Sequence, residues 1–531
     1  MGNRIRKVLA LCLAAVMLLT GCRYMKGFGG GMSVIRFEDM EYVRPELSAY
    51  QSLVEECCAL AEAGEDFRTL EKKLWELFTA YNDYYTNYSL ADIHYCMDQT
   101  DLYWSDEYDY CLENASQIDA GLDQLYYALA DSVFREKLEE QDYFGEDFFA
   151  EYEGESLWDD TFTGLMEEET GLITRYYDLS AQMLGVSYGT AEYDSLAEQV
   201  CALYVELIEK RQEIAACAGY EDYPHFAYDF YYARDYTPEQ EAAYTEQIRQ
   251  ELVPLYRYVC SYGVEELELY YSSEEDTFAY VQGIAQVMGG MVEEAFRLMA
   301  DGGLYDISYG ENKYDASFEV YLTNYDEPFV FLNPEGSDYD KLTFSHEFGH
   351  FCNDYASYGS AVGIDVAEIF SQGMEYLGLC YEDGGESLEM LSMVGSLCVY
   401  VEQAAYASFE RQAYGLTGED LSVEGLCDLF SQVASDFGFD VWGVDSRDFA
   451  TVPHFFTNPM YIFSYVVSND AAMQLYQLEK QKTGAGLQKY QENLDTQEGY
   501  FLAFLESAGL ESPFAEGRIQ TVRETLENIL T

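Results

Sequence analysis

The pentapeptide His346-Glu347-Phe348-Gly349-His350 is the segment from which the architecture and chemistry of this 531-residue chain are best worked out. On a helix, the H-E-x-x-H spacing places two imidazoles one turn apart on the same face, close enough to bind one zinc ion. Glu347 is then positioned to accept a proton from a water that the metal activates. The chain has only five histidines, so two of them at this spacing indicate a metal site.

A third ligand is expected downstream, because a catalytic zinc usually takes three protein ligands and a water. The segment Glu368-Ile369-Phe370-Ser371-Gln372-Gly373-Met374-Glu375 follows His350 after room for a turn. On a helix, Glu368 and Glu375 share one face, and two inward carboxylates are costly unless a cation neutralises them. We predict that Glu368 is the third ligand and that Glu375 accepts the free ring N–H of a ligand histidine. The alternative for Glu375 is a solvated helix residue.

Most of the chain after Arg36 carries a helical pattern. Apolar residues at helical spacing mark two stripes, Leu70, Leu74, Leu77 and Phe78, and then Val200, Leu203, Leu207 and Ile214. Thr237-Pro238-Glu239-Gln240 has the form of a capping box with proline at the first helical position, and Ser272 with Glu275 is expected to cap a later helix.

One stretch before the metal helix breaks this pattern. Glu319 to Leu322 and Pro328 to Asn333 are rich in β-branched and aromatic residues and predict two short strands. A strand with a free edge beside a catalytic helix is able to bind an extended peptide as an additional strand. The alternative is a structural hairpin with no ligand.

The N-terminus has the pattern of an export signal. Arg4, Arg6 and Lys7 precede an apolar run from Val8 to Leu19 that is too short to span a bilayer. The run ends in Leu19-Thr20-Gly21-Cys22, which resembles a bacterial lipobox and implies cleavage before Cys22 and lipidation of its thiol. The lipid would tether the protein to the outer face of the cell membrane. The alternative is an ordinary cleaved signal.

Composition limits the partners. The chain has 98 Asp and Glu against 28 Lys and Arg, a net charge of −70, which repels phosphate backbones and disfavours nucleic-acid binding.

Eleven cysteines remain after Cys12 and Cys22 are set aside; they show no C-x-x-C spacing, and we expect most to be small buried apolar side chains. His94 and His225 are expected to be structural.

Taken together, the metal-site segments resemble the active-site segments of the thimet oligopeptidase and oligoendopeptidase F family of zinc peptidases. In that family the first Glu of the second motif, Glu368 here, is the third zinc ligand. A third segment, Pro453-His454-Phe455-Phe456-Thr457-Asn458-Pro459-Met460-Tyr461-Ile462-Phe463-Ser464-Tyr465, is similar to the family's histidine-and-tyrosine segment. By that match His454, Tyr461 and Tyr465 line the cleft. The resemblance implies that Tyr465 and His454 donate hydrogen bonds to the substrate oxyanion, with Tyr461 as an alternate or helper.

The resemblance extends from about residue 200 to the C-terminus; Gly219-Tyr220 through Arg234-Asp235-Tyr236 is also similar to a family segment. It implies a mostly α-helical, bilobal metallopeptidase with a deep substrate cleft and a small β-sheet beside the H-E-x-x-H helix. We predict four regions: a signal peptide at 1–21, a lipidated cysteine and flexible tether at 22–35, an N-terminal helical region at 36–200 and a catalytic region at 201–531.

The predicted function is that of a metalloendopeptidase that hydrolyses oligopeptides, with one Zn²⁺ per chain bound by His346, His350 and Glu368 and with Glu347 as general base. The sequence leaves two alternatives open. One is a zinc carboxypeptidase or dipeptidyl carboxypeptidase, and the other is a lipoprotein that binds peptides without cleaving them. The sequence does not indicate an oligomeric state.

Overall fold

The computed structural model of the chain describes residues 35–140, 144, 148–152, 160–184, 186–262, 270–359, 362–381, 385–439 and 443–531. The predicted signal peptide and the lipidation site at Cys22 lie outside these ranges. The described residues are predominantly helical, with one small sheet. Among them, no helix is both long enough and apolar enough to cross a membrane.

The N-terminal helices surround a hydrophobic core of their own, formed by buried residues between Tyr50 and Phe149. Its helices are α1 (Leu47–Ala63), α2 (Phe67–Met97), α3 (Leu102–Ala130) and the short α4 (Arg135–Glu139). Asp66 and Asp101 begin α2 and α3 by accepting hydrogen bonds from backbone N–H groups of the first turn. Leu70, Leu74 and Leu77 of the predicted stripe are buried in this core.

A second, larger core contains buried residues from most of the other described helices and from the sheet. Its first helices are α5 (Asp160–Leu184), α6 (Ala191–Cys217), α7 (Tyr223–Phe230), α8 (Pro238–Glu251), α9 (Val253–Tyr262), α10 (Glu274–Met288) and α11 (Gly290–Gly302). After the sheet come α12 (Tyr339–Ser357), α13 (Ile364–Tyr381), α14 (Gly385–Cys398), α15 (Ala404–Ala413), α16 (Val423–Asp436), α17 (His454–Thr457), α18 (Phe463–Gln481), α19 (Ala485–Glu492), α20 (Phe501–Ala508) and α21 (Arg518–Leu530). A single π-helical turn, Val399–Gln403, joins α14 to α15.

The sheet contains both predicted strands and one more. Its strands are β1 (Tyr305–Asp306), β2 (Ser317–Leu322) and β3 (Glu327–Leu332), in the order β1-β3-β2. β2 is antiparallel to β3, with Glu319 opposite Val330. Every residue of the central strand β3 is buried, whereas β2 is mostly half-buried, because within the described residues β2 lies at the sheet edge.

Two helix starts test the capping predictions. Thr237 and Gln240 form the predicted capping box at α8, with Pro238 at the first helical position. The second prediction is wrong by one residue: Ser273, not Ser272, caps α10, and its reciprocal partner is Asp276 rather than Glu275. Adjacent serines followed by three acidic residues allow either register, and the buried position of Ser272 decides between them.

The eleven cysteines of the described ranges are free thiols, and six of them are buried, as expected for small apolar side chains. His94 stacks on Trp104 with ring centroids 4.2 Å apart, and His225 lies 2.7 Å from Asp222 at the start of α7. Both histidines therefore have local structural partners.

Candidate metal centre

Two packed helices position the predicted metal ligands. α12 carries His346, Glu347 and His350, and α13 carries Glu368 and Glu375. The helices approach closely at Gly349, where a Cβ atom would collide with the carbonyl oxygen of Phe370 and lie 2.6 Å from Ser371 Cα. Glycine at this position therefore allows the two ligand-bearing helices to come within reach of one ion.

The three predicted ligands converge. His346 Nε2 lies 3.4 Å from Glu368 Oε2, and His350 Nε2 lies 3.8 Å from the same oxygen. One donor atom from each residue lies within 4.8 Å of the other two. In a tetrahedral zinc site with bonds of about 2.0–2.2 Å, ligand atoms are separated by about 3.3–3.6 Å. The donor types and their spacing thus fit a zinc ion.

Neighbouring side chains orient these ligands. Glu375 Oε1 lies 2.7 Å from His346 Nδ1, which leaves Nε2 directed at the centre. The Ser371 hydroxyl donates a hydrogen bond of 2.9 Å to Glu368 Oε2. Glu375 therefore lies where the sequence predicted, against the far nitrogen of a ligand histidine, and not as a solvated helix residue.

The electrostatics of the centre favour a bound cation. Burial would raise the pKa of Glu368, but hydrogen bonding and charge from His346 outweigh it and hold that pKa at about 2. Burial lowers the pKa of His350 to about 4, so this imidazole is neutral and free to act as a ligand. Burial also acts against the charged form of His346, yet contacts with Glu368 and Glu375 raise its pKa well above the ordinary value. The carboxylates of Glu368 and Glu375 therefore favour the binding of a positively charged group at this point.

The side chain of Glu347 lies between its own helix, α12, and the sheet, and 6% of the residue's surface is exposed. Burial raises its pKa, while His346 and a hydrogen bond with the Ser317 hydroxyl of β2 act in the opposite direction. A carboxylate whose pKa is raised is a stronger base than a solvated one, which suits it to accept a proton.

Sequence reasoning missed a second pair of carboxyl groups near Glu347. Burial and the charges of Asp354 and Glu347 raise the pKa of Glu319 well above its ordinary value. Burial also raises the pKa of Asp354, and the two carboxyl groups hydrogen-bond to each other. The available signal was periodicity: Glu319 is two residues after Ser317 on one side of β2, and Asp354 is two turns after Glu347 on α12.

The third predicted segment forms an aromatic cluster. His454 begins α17, Tyr461 lies in the turn that follows, and Tyr465 is in the first turn of α18. The His454 ring centroid lies 5.7 Å from that of Tyr461 and 6.0 Å from that of Tyr465, and the two tyrosine rings lie 5.2 Å apart. Burial lowers the pKa of His454 to about 4, so its imidazole is neutral at physiological pH.

The packing of α18 on α13 places this cluster at the end of α13 that carries Glu368. Ser468, three residues after Tyr465, donates a hydrogen bond of 3.0 Å to the backbone oxygen of Asp365, three residues before Glu368. Farther along the same pair of helices, a Cβ atom added to Gly373 of α13 would lie 3.1 Å from Leu475 Cδ1 of α18, so the two helices also pack closely there. The helix that begins beside this cluster is therefore packed against the helix that carries Glu368, although the two are far apart in sequence.

Comparisons with known proteins agree with this arrangement. Residues 37–156 match the sequence profile described as the Peptidase M3 N-terminal domain. No curated protein sequence gives a significant match to the chain. The profile match covers the N-terminal helices, where sequence analysis found no family motif.

Solved structures share the fold. A crystal structure described as that of an oligoendopeptidase F is 20% identical, with a TM-score of 0.75, and the match covers 93% of this chain and 98% of that one. PZ peptidase A with an inhibitor is 19% identical, with a TM-score of 0.75 and coverage of 93% and 99%. An oligoendopeptidase F structure from Bacillus anthracis strain Ames is 20% identical, with a TM-score of 0.74 and coverage of 94% and 98%.

At these identities the structural likeness establishes the fold. The predicted resemblance to the oligoendopeptidase F family is confirmed, and so is the mostly helical fold with a small sheet beside the H-E-x-x-H helix. The profile match and the shared fold together support an enzyme of the metallo-oligopeptidase class.

Proposed function

We propose that this chain is a zinc-dependent metalloendopeptidase that hydrolyses short oligopeptides. The observation that carries the proposal is the convergence of His346, His350 and Glu368 on one point, with the carboxylate of Glu347 buried beside it. A pure binding protein would have no need of a carboxylate in that position.

One zinc ion per chain would be held by His346, His350 and Glu368, whose donor types and spacing fit it. When bound, zinc supplies Lewis-acid chemistry, which activates water and polarises the scissile carbonyl. Glu375 holds His346 in the tautomer that presents Nε2, and Ser371 fixes the orientation of Glu368.

Proton transfer is assigned to Glu347. Its carboxylate accepts a proton from the attacking water and delivers one to the leaving amine. Burial raises its pKa, which makes this carboxylate a stronger base than a solvated glutamate. The Ser317 hydroxyl at the start of β2 hydrogen-bonds this carboxylate and so helps to orient it.

Oxyanion stabilisation is assigned to the aromatic cluster of His454, Tyr461 and Tyr465. The tetrahedral intermediate of amide hydrolysis develops negative charge on the former carbonyl oxygen, and phenol O–H or neutral imidazole N–H groups donate to it. His454 is suited to this role because burial keeps its imidazole neutral. The side chains lie within 6.0 Å of one another, measured between ring centroids.

The substrate is proposed to be an extended peptide that runs along β2. This strand is at the sheet edge within the described residues, and its Ser317 contacts the catalytic glutamate. Two of the structures with the same fold are named as oligoendopeptidases, which supports internal cleavage of short peptides.

The cellular setting is proposed from the N-terminal sequence. Cleavage before Cys22 and lipidation of its thiol would anchor the protein on the outer side of the cytoplasmic membrane, with residues 22–35 as tether. The net charge of −70 supports peptides rather than nucleic acids as partners.

A peptide-library digest tests the proposed function. Products are mapped by mass spectrometry with and without a chelator, and after zinc is restored. We expect internal cleavage that includes substrates with amidated C-termini and that stops on chelation. Release of residues only from free C-termini would indicate a carboxypeptidase, and stoichiometric zinc without any cleavage would indicate a binding protein.

A further inference from the structure

Arg234, which follows α7, is a buried cation with contacts in several directions. Its side chain is 1% exposed. Nη1 donates to the backbone oxygen of Met460 at 2.9 Å, and Nη2 donates to Ser464 Oγ at 2.7 Å. The rings of Tyr228 and Tyr232 lie 4.3 and 4.6 Å from the guanidinium carbon. Hydrogen bonds hold the guanidinium group in its plane, and two tyrosine rings pack against it. The groups that it binds are therefore held in defined positions.

The same guanidinium reaches the helix that carries Glu368. Arg234 Nε lies 3.4 Å from Oδ2 of Asp365, whose side chain is 6% exposed. The Tyr236 hydroxyl donates to this oxygen at 2.7 Å. Asp365 lies in the first turn of α13, one turn before Glu368. Arg234 therefore joins α13 directly to the turn between α17 and α18.

That turn has an unfavourable backbone conformation. Met460 has φ of 64°, in the left-handed region that non-glycine residues rarely adopt. Such a residue persists only when its surroundings hold it. The Met460 N–H donates to Glu410 Oε1 at 2.9 Å, its oxygen accepts from Arg234, and the Tyr232 hydroxyl donates to the oxygen of Pro459 at 2.7 Å. Tyr461 is the next residue.

From these contacts we infer that Arg234 is a positioning residue, which with Asp365 fixes the Met460 turn and its neighbour Tyr461 against the helix carrying Glu368. The inference rests on the proposed function for its effect on catalysis. Stability alone would not require this pair, because a buried ion pair is often replaceable by apolar residues without loss of stability.

The test uses the full-length protein and the variant Arg234→Lys, which keeps the charge but loses the planar fork. We expect one zinc per chain, KM within about threefold of wild type and kcat lower by at least about tenfold, since a small misplacement of a catalytic group is costly. Hydrogen exchange of the backbone amides at 458–464 should become at least about tenfold faster. A double variant, Arg234→Met with Asp365→Asn, removes both charges and should show the same loss of kcat.

Arg518→Lys is the matched control. Arg518 is 3% exposed and binds Asp470 of α18 at 2.8 Å, but its contacts are with Asp470 and Gln477, away from the turn. We expect a lower melting temperature with normal kcat. The inference is overturned if Arg518→Lys lowers kcat equally, or if Arg234→Lys leaves kcat and the exchange at 458–464 unchanged. A wild-type protein without chelator-sensitive hydrolysis refutes the proposed function instead, and the exchange measurement still decides whether Arg234 fixes the turn.

Discussion

Glu375 Oε1 and His346 Nδ1 lie 2.7 Å apart, across the contact between α13 and α12. Because an ionised carboxylate only accepts hydrogen bonds, this pairing places the ring proton on Nδ1 and leaves Nε2 for a metal. One contact between two helices thus sets the tautomer, the ring orientation and the basicity of a ligand.

Glu375→Gln should weaken zinc binding. The amide accepts or donates one hydrogen bond but supplies no charge, and loss of such a partner typically costs 10–100-fold in metal affinity (about 1–3 kcal/mol). Zinc affinity is measured by competition with a chromophoric chelator. Glu389→Gln, which alters a carboxylate bound to Lys480, is the control and should bind zinc as the wild type does. Equal affinities in all three proteins would contradict the role of Glu375.

Glu347→Gln should retain zinc and lose hydrolysis. The amide keeps the shape of the side chain but does not accept a proton, so we expect kcat to fall by about 10³-fold or more. Metal content by mass spectrometry and turnover of an internally quenched peptide measure the two effects separately. Glu506→Gln on α20 is the control, and undiminished activity of Glu347→Gln would refute the general-base assignment.

Removal of the hydroxyl group at Tyr461 or Tyr465 should lower kcat with little change in KM. An oxyanion donor acts mainly in the transition state, and loss of one costs about 10²–10³-fold in kcat. Tyr461→Phe and Tyr465→Phe, assayed separately, identify which tyrosine donates. Exposed Tyr500→Phe is the control. If both cluster variants keep wild-type kcat, the cluster has no part in catalysis.

Gly349→Ala should destabilise the protein and its metal centre together. The added methyl group would meet backbone atoms of Phe370 and Ser371, which have no alternative position, so we expect a loss of about 3 kcal/mol or more. Gly395→Ala is the contrasting helical variant, because nothing lies within 4 Å of its Cβ. It should be neutral or stabilising by about 0.5–1 kcal/mol. Thermal unfolding and zinc content measure both effects, and equal behaviour of the two variants would contradict the close helix contact.

The stability contributed by Glu410 should depend on pH. Burial raises the pKa of Glu410 to about 8, above its ordinary value of about 4.3. The folded state therefore binds more protons than the unfolded state between about pH 4.5 and 8, so this group lowers the free energy of unfolding as pH rises through that window. Glu410→Gln stays neutral and its side-chain oxygen still accepts from the Met460 N–H.

We therefore expect the melting temperature of Glu410→Gln to rise relative to wild type as the pH increases from 5 to 8. Exposed Glu424→Gln should follow the wild-type curve throughout. A difference between Glu410→Gln and wild type that stays constant over this pH range would show that Glu410 does not titrate there.

Much of the local structure follows from short-range spacing. The apolar stripe at Leu70, Leu74 and Leu77 gave a buried helix face, because its period matches the helix. The β-branched and aromatic residues around Val330 gave the strands. The start of α10 was wrong by one residue, since Ser272 and Ser273 offer equal capping groups and burial selects between them. The four-region division and lipidation at Cys22 stay predictions.

By itself, the sequence determined the helix that carries His346 and His350 and the position of Glu368 on the next helix, because each depends on spacing within one helical segment. The motifs of three separate segments determined the family resemblance. The tertiary structure decided which side chains meet across segments. The close approach at Gly349, the contact of Ser317 with Glu347, the Glu319–Asp354 pair and the junction at Arg234 all join residues that local periodicity does not relate. Such contacts form only when helices and strands pack into one core, and that packing depends on the whole chain.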